Sequence, residues 1–191
     1  MITHSRRSFL AAALSAPAFL SAAQKQTDAR IEELRFSYED YLYRTPIKFG
    51  GNVVDRVTLL NVNVTLRSRA GKMAQGFGSM PMGNVWGFPS KVHNYNETLD
   101  AMKALTVKLN RIIGGYKEYG HPLDVGHALL PAYIKAAEEV TREQKLKEPF
   151  PTLCTLVTAS PFDAALHDGF GKLHGRSAYQ ILSSEFDMRF A

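Results

Sequence analysis

Hydrophobic and polar positions alternate most cleanly over Val57–Leu66, where Leu60, Val62, Val64 and Leu66 are separated by Asn61, Asn63 and Thr65. A period of two turns one side of a strand to the core and the other to water, so this stretch predicts a half-buried strand. Ile31–Tyr38 carries the same pattern, with Leu34, Phe36 and Tyr38 set around Arg35 and Ser37, and Lys72–Phe77 predicts a third strand. The turn Arg69-Ala70-Gly71 is of hairpin length, and short connections favour antiparallel neighbours. Together these segments predict an antiparallel meander. Tyr41–Gly51, reading YLYRTPIKFGG, is expected to be a loop bracketed by Pro46 and Gly50-Gly51. Its large side chains either plug the core or project into a ligand pocket. Gly76–Ser90, reading GFGSMPMGNVWGFPS, is expected as a second such loop, with Met80, Met82, Trp86 and Phe88 sealing a core or lining a ligand site.

From Asn96 onward the period changes to that of a helix. Leu99, Met102, Leu105, Leu109, Ile112 and Ile113 keep one face apolar, Asn96 is placed to cap, and Gly114-Gly115 to stop. Asp124–Arg142 predicts a second helix that Pro131 kinks or starts late. Lys145–Pro151 is a charged connector, and Leu153–Ala159 a short turn ended by the bias against helix before Pro161. The final helix, Ser160–Gly175, reads as complete. Ser160 caps, Pro161 takes the first position, Asp163 serves as a capping carboxylate, and Gly175 stops it. Its stripe of Phe162, Ala165, Leu166, Phe170 and Leu173 requires burial, partly on the two preceding helices.

Composition narrows the function classes. The 191 residues suffice for one domain with a real core, and the formal charge of +5 is spread among acidic residues without a basic, aromatic-interleaved face. Nucleic acid is therefore not an expected partner. Cys154 is the only cysteine, which excludes an intramolecular disulfide, and its apolar neighbours predict a buried thiol. The histidines are expected to lie apart, with no carboxylate at a metal-ligand spacing. Asp163 and Asp168, five positions apart, are expected on different sides of their helix. Neither a nucleophile elbow nor a phosphate-binding glycine pattern is present.

Residues 1–23 read as an export signal. Arg6-Arg7 precede Phe9-Leu10, an apolar run to Leu20 and the small residues Ser21-Ala22-Ala23. The arginine pair resembles a twin-arginine signal, with an ordinary secretory signal as the alternative. The run is shorter than the roughly 20 apolar residues of a spanning helix, so no stable membrane span is expected. The mature chain is expected in the periplasm or outside the cell, opening on a polar, disordered lead over 24–29.

The meander, the helical segment and then Asp163, Ala165-Leu166, Asp168, Gly171-Lys172, Gly175, Tyr179 and Leu182 resemble the amino-terminal capping domain of the enolase superfamily. The likeness is to its mandelate racemase and muconate lactonizing enzyme branch. It implies an α+β fold, a three-stranded antiparallel meander followed by a helical bundle, over residues 30–175. Residues 176–191 then form an incomplete lead-in to a TIM barrel that this chain lacks. Many members carry Gly-Glu after the third strand, whereas Gly78 is followed here by Ser79.

In that family the barrel supplies acidic magnesium ligands and the bases that remove a proton beside a carboxylate, and the cap closes over the substrate. The resemblance therefore implies no catalytic residue, no metal ligand and no cofactor in this chain, with Mg implied for the complete protein. The substrate would be a carboxylate, with sugar acids a reasonable class, and the barrel domain and a homo-oligomer would be the partners. Arg44, Lys48, Phe49, Met80 and Trp86 are the candidate pocket contacts. The leading expectation is a truncated member whose complete form is a racemase, isomerase or dehydratase. The alternatives are an exported non-catalytic binding or interaction module and a remnant that does not fold alone.

Overall fold

The structure, a computed structural model, describes residues 25–49 and 51–186. The expected signal at 1–23 lies outside the described residues. β1 (Ala29–Phe49), β2 (Asn52–Ser68) and β3 (Met73–Pro81) form one antiparallel sheet in the order β1-β2-β3. The helices α1 (Asn84–Gly87), α2 (Tyr95–Gly115), α3 (Pro122–Glu143) and α4 (Thr152–His174) follow. The α+β meander-then-helices order is the one the periodicity predicts. Among the described residues no barrel closes.

Register explains the buried face. Leu34 lies beside Val64 and Gly76, Phe36 beside Val62 and Gly78, and Tyr38 beside Leu60 and Met80. These rows face the helices, while Arg35, Ser37, Asn63, Gln75 and Ser79 face water. A bulge between Ile31 and Glu33 lets Ile31 share the inner face with Leu34, although the two differ in strand parity.

Glycine decides how close α4 comes. A Cβ at Gly78 would sit 2.0 Å from the carbonyl oxygen of Pro161, and one at Gly76 would sit 2.1 Å from that of Ala165. Only a bare backbone lets the helix lie in this way on β3. The exposed edge of β3 is covered at the same place, because Phe77 N–H donates to Asp168 Oδ2 at 2.9 Å. Lys172 Nζ holds the same oxygen at 2.7 Å, which keeps the carboxylate aimed at the strand. An unpaired edge is thus closed by a helix side chain.

Several sequence expectations need correction. Tyr41–Gly51 is not a loop: β1 runs through it to Phe49, paired with β2 as far as Asn52. Pro46 is tolerated because it falls in a register shift between Leu42 and Ile47, where a missing N–H breaks no ladder. The segment Gly76–Ser90 likewise divides into the end of β3 and α1. The cap of α2 is Asn94, which forms a reciprocal capping box with Glu97, in place of Asn96. For α3 the cap is His121, and Pro131 lies inside the helix.

The largest correction concerns α4. It begins at Thr152 and absorbs the expected turn at Leu153–Ala159, so Pro161 lies inside it. Ser160 does not cap; its Oγ donates to the Leu156 carbonyl at 2.9 Å. An interior proline costs about 3 kcal/mol. Burial of Cys154, Val157, Phe162 and Leu166 along the same helix offsets it, at about 1.5–3 kcal/mol for each large apolar side chain. Gly175 does stop the helix, with φ 66°. The stripe, expected to pack partly on the two preceding helices, lies mainly on the sheet: Phe162, Ala165, Leu166, Phe170 and Leu173 are buried, and α4 packs under β2 and β3.

The histidines also gather where they were expected apart. His121, His174 and Phe186 pack around Phe170, with ring centroids 4.9, 4.6 and 5.7 Å from it, and His167 lies 6.2 Å from His121. His121 accepts a hydrogen bond from Leu123 N–H at Nδ1 and donates from Nε2 to the Ile181 carbonyl. His174 Nε2 donates to the Thr27 carbonyl at 2.9 Å. Burial lowers the pKa of both rings. Cys154 is fully buried, and burial raises its thiol to about 12.

Candidate functional site

Beyond Tyr38 and Leu60 the sheet narrows. β3 ends opposite Leu59 at Pro81, so the outer parts of β1 and β2 continue as a two-stranded ribbon with no third neighbour. Tyr41, Leu42, Tyr43, Ile47 and Val53 are exposed on it, Leu42 at 81%. Such residues on an isolated hairpin bury little of themselves, and a lone two-stranded unit is marginal in water.

At the base of the ribbon is a cleft of about 250 Å³. One wall is Tyr43, Ile47 and Val54 from the ribbon; the other is Met82, Trp86 and Tyr95, carried by the β3 exit, α1 and the first residue of α2. Gly83 allows this, since a Cβ there would meet the Trp86 indole at 2.2 Å. Between the walls lies Arg56, its guanidinium carbon 4.8 Å from the centre of the Tyr95 ring. Stacking holds a cation in place without consuming its in-plane donors. Arg56 Nη2 donates to Asn96 Oδ1 at 3.3 Å, and no carboxylate pairs with it among the described residues.

The other polar groups in the cleft are already engaged. Thr58 Oγ1 donates to Asp40 Oδ1, and Asn84 Nδ2 donates to the Tyr95 carbonyl and to Thr98 Oγ1. A second hollow of about 330 Å³ shares Arg56, Thr58 and Tyr95 and opens toward Tyr41, Leu42 and Lys103. The arrangement can bind and orient an anion against aromatic walls.

Of the residues singled out in the sequence, Trp86 lines the cleft. Arg44 and Lys48 are exposed farther out on the ribbon, and Phe49 pairs with Asn52 at its end. Met80 pairs with Leu60 in β3 and packs against the core. Arg56, Tyr43 and Tyr95 are the contributors that sequence reasoning passed over. Tyr43 lay in the flagged segment, but Arg56 and Tyr95 are about forty positions apart and carry no shared motif.

Magnesium does not fit the donors present. Among the described residues no three His, Cys, Asp or Glu side chains come together to hold a metal ion. Asp168 is committed to Phe77 and Lys172, and Asp163 lies 3.4 Å from His167. No helix of the described residues is long and apolar enough to cross a membrane.

No sequence family profile matches the chain, and no curated protein matches it. Solved structures do. An enolase from alpha proteobacterium bal199, with bound Mg, superposes with a TM-score of 0.51 at 12% identity, covering 81% of this chain and 34% of that one. The L-talarate/galactarate dehydratase of Salmonella typhimurium LT2, liganded with Mg and L-lyxarohydroxamate, gives 0.49 at 19% identity, covering 82% and 34%. The L-Ala-D/L-Glu epimerase of Bacillus subtilis gives 0.46 at 17%, covering 81% and 34%. The chain spans about a third of the length of these proteins. Its fold is that of the enolase-like amino-terminal domain: a three-stranded antiparallel sheet followed by helices.

Proposed function

We propose that this chain is the capping, substrate-specificity domain of an enolase-superfamily protein in the mandelate racemase and muconate lactonizing enzyme branch. The complete protein would be a Mg-dependent racemase, isomerase or dehydratase that removes a proton beside a carboxylate. The observation that supports this most directly is a capping-domain fold bearing an unsupported ribbon with a cation at its base. A two-stranded arm with exposed Leu42, Ile47 and Val53 gains by closing on a second surface, and closure excludes water from what lies between. In this reading Arg56, Arg44 and Lys48 attract and orient the substrate carboxylate, while Trp86 and Tyr43 wall it in. Proton abstraction and metal binding belong to a barrel, because the donors described here do not fit Mg. Export through the twin-arginine signal at 1–23 is part of the same proposal.

The coding sequence downstream of Ala191 tests this reading. The expected result is a barrel-coding stretch of about 200 residues or more in some frame. Joined to the cap, it should give Mg-dependent exchange of a carboxylate's α-proton in deuterium oxide, read by NMR. Downstream sequence with no barrel in any frame would overturn the proposal. An exported, non-catalytic binding module is the second reading, favoured by one observation: the Arg56 cleft is built wholly from this chain.

A further inference from the structure

The first turn of α3 is capped by a group whose hydrogen-bonding sense a single proton reverses. We infer that His121 is a proton-operated latch: neutral, it holds the start of α3 and the segment 177–186 together, and protonated, it lets go of both. The latch is built wholly from described residues of this chain and needs no barrel.

The geometry assigns the tautomer. His121 is 1% exposed, with Nδ1 3.2 Å from the Leu123 nitrogen and Nε2 3.2 Å from the Ile181 carbonyl oxygen. A backbone N–H donates and a carbonyl accepts, so Nδ1 carries the lone pair and Nε2 the proton. His121 is thereby the N-cap of α3, in the place that Ser, Thr, Asp or Asn take in most helices. Pro122 follows it and has no N–H, so Leu123 supplies the first donor of the helix. The usual caps keep their acceptor oxygen near neutral pH; an imidazole does not. A proton on Nδ1 turns the acceptor into a donor that faces the Leu123 N–H. It also puts a positive charge at the end of the helix where the dipole is already positive.

The same ring holds a distant part of the chain. Residues 177–186 form no helix or strand, yet Ile181 is fully buried and Phe186 is 2% exposed. The bonds from Gln180 to Ser177, Leu182 to Tyr179 and Phe186 to Ser183 close turns within the segment. The Ile181 carbonyl instead reaches His121, and Phe186 lies 6.5 Å from that ring, 5.7 Å from Phe170 and 5.2 Å from His174. With one ring serving both bonds, it cannot turn away from Leu123 without leaving Ile181.

The surrounding charges do not rescue the imidazolium. Asp28 from the N-terminal turn and Asp124 from α3 favour it, but Asp28 is shared with Arg69 at 3.7 Å. His167 from α4, itself 3.4 Å from Asp163, opposes it. Burial outweighs the acids and lowers the pKa of His121. His174, acted on by Lys72 and Glu185, differs in kind: its bond to Thr27 uses Nε2–H, which a second proton on the ring leaves in place.

The test is a titration of the full-length chain, labelled with nitrogen-15, from about pH 7.5 to about 4. Ring spectra at the upper end should show His121 as the Nε2–H tautomer. As the ring takes up its proton, amide exchange at Leu123 and across 177–186, corrected for its intrinsic pH dependence, should rise about tenfold. Both regions should share the midpoint of the ring, and amides at the centre of α4 should not follow it. His121→Asn supplies a cap that does not titrate in this range, so the step at Leu123 should vanish.

An Nδ1–H tautomer, a ring that stays neutral throughout, a His121 titration that leaves Leu123 and 177–186 unchanged, or separate midpoints for the two would overturn the latch. So would a step that persists in His121→Asn. The tautomer and the midpoints are read on the unmodified chain, so they stand even where the variant fails to fold.

Discussion

The seam where α4 lies on β3 and the ribbon formed by the outer parts of β1 and β2 are built on opposite principles. In the seam every position is used. Gly76 and Gly78 remove side chains so that helix and strand backbones touch, Asp168 closes the strand edge, and Phe162, Leu166 and Phe170 fill what remains. In the ribbon, large apolar side chains stand in water, and Arg56, stacked on Tyr95, lies at its base. A closely packed interior transmits any change in volume, whereas an exposed arm absorbs it. Stability is therefore concentrated in the seam, and the surface available for recognition in the ribbon.

The sharpest way to break this contrast is Gly78→Val. Its Cβ would meet the Pro161 carbonyl oxygen, a backbone atom that cannot turn aside, so a loss of about 3 kcal/mol or more is expected, measured by urea unfolding. A change under about 0.5 kcal/mol, the range of ordinary surface substitutions, would show that the seam is looser than the structure describes.

Acidification should act next, and on the seam's end only. His121 and His174 have folded pKa values below the unfolded value of about 6.5, because burial disfavours their charged forms. Above that pH both states are neutral and the rings cost nothing. As pH falls below about 6.5 the unfolded chain takes up protons that the folded chain refuses, so stability drops until the lowered folded values are passed. Asp28 and Asp124 near His121, and Glu185 near His174, oppose the shift; His167 and Lys72 add to it. Hydrogen exchange near Thr27 and Ile181 should rise between pH 7 and 5 while the ribbon amides keep their relative protection. Uniform loosening of both regions would remove the distinction.

The smallest effect is expected at the ribbon. Leu42→Ser should change stability by less than about 0.5 kcal/mol, since the side chain is already in water. A larger loss would mean that Leu42 packs on something in solution, and the concentration dependence of the melting temperature would show whether that is a second copy.

The helix of the seam was legible in the sequence from Asp163 onward, but its seat on β3 and the ribbon's use were not. The stretch from Asp163 to Gly175 carries its signal because each residue answers a local demand: Asp168 lies one turn from Lys172, and Gly175 takes the left-handed conformation that ends the helix. Tyr41–Gly51 was marked as unusual for its side chains, yet its strand character was hidden by Pro46 and Gly50-Gly51. Pairing with β2 overrides those breakers, and no local pattern announces a partner in register. The start of α4 is hidden for the same reason. Pro161 speaks against a helix locally, and only burial against the sheet outweighs it.

By itself, the sequence determined the order of sheet and helices, the inner face of the first two strands and the stop at Gly175, because alternation, helical spacing and backbone freedom are properties of neighbouring residues. The tertiary structure decided that the stripe of α4 is spent on the sheet, that His121 and His174 meet around Phe170 with His167 beside His121, and that Arg56 and Tyr95 form one site. Those outcomes depend on which surfaces approach one another in space, and a stacked pair about forty residues apart leaves no trace in the periodicity of either segment.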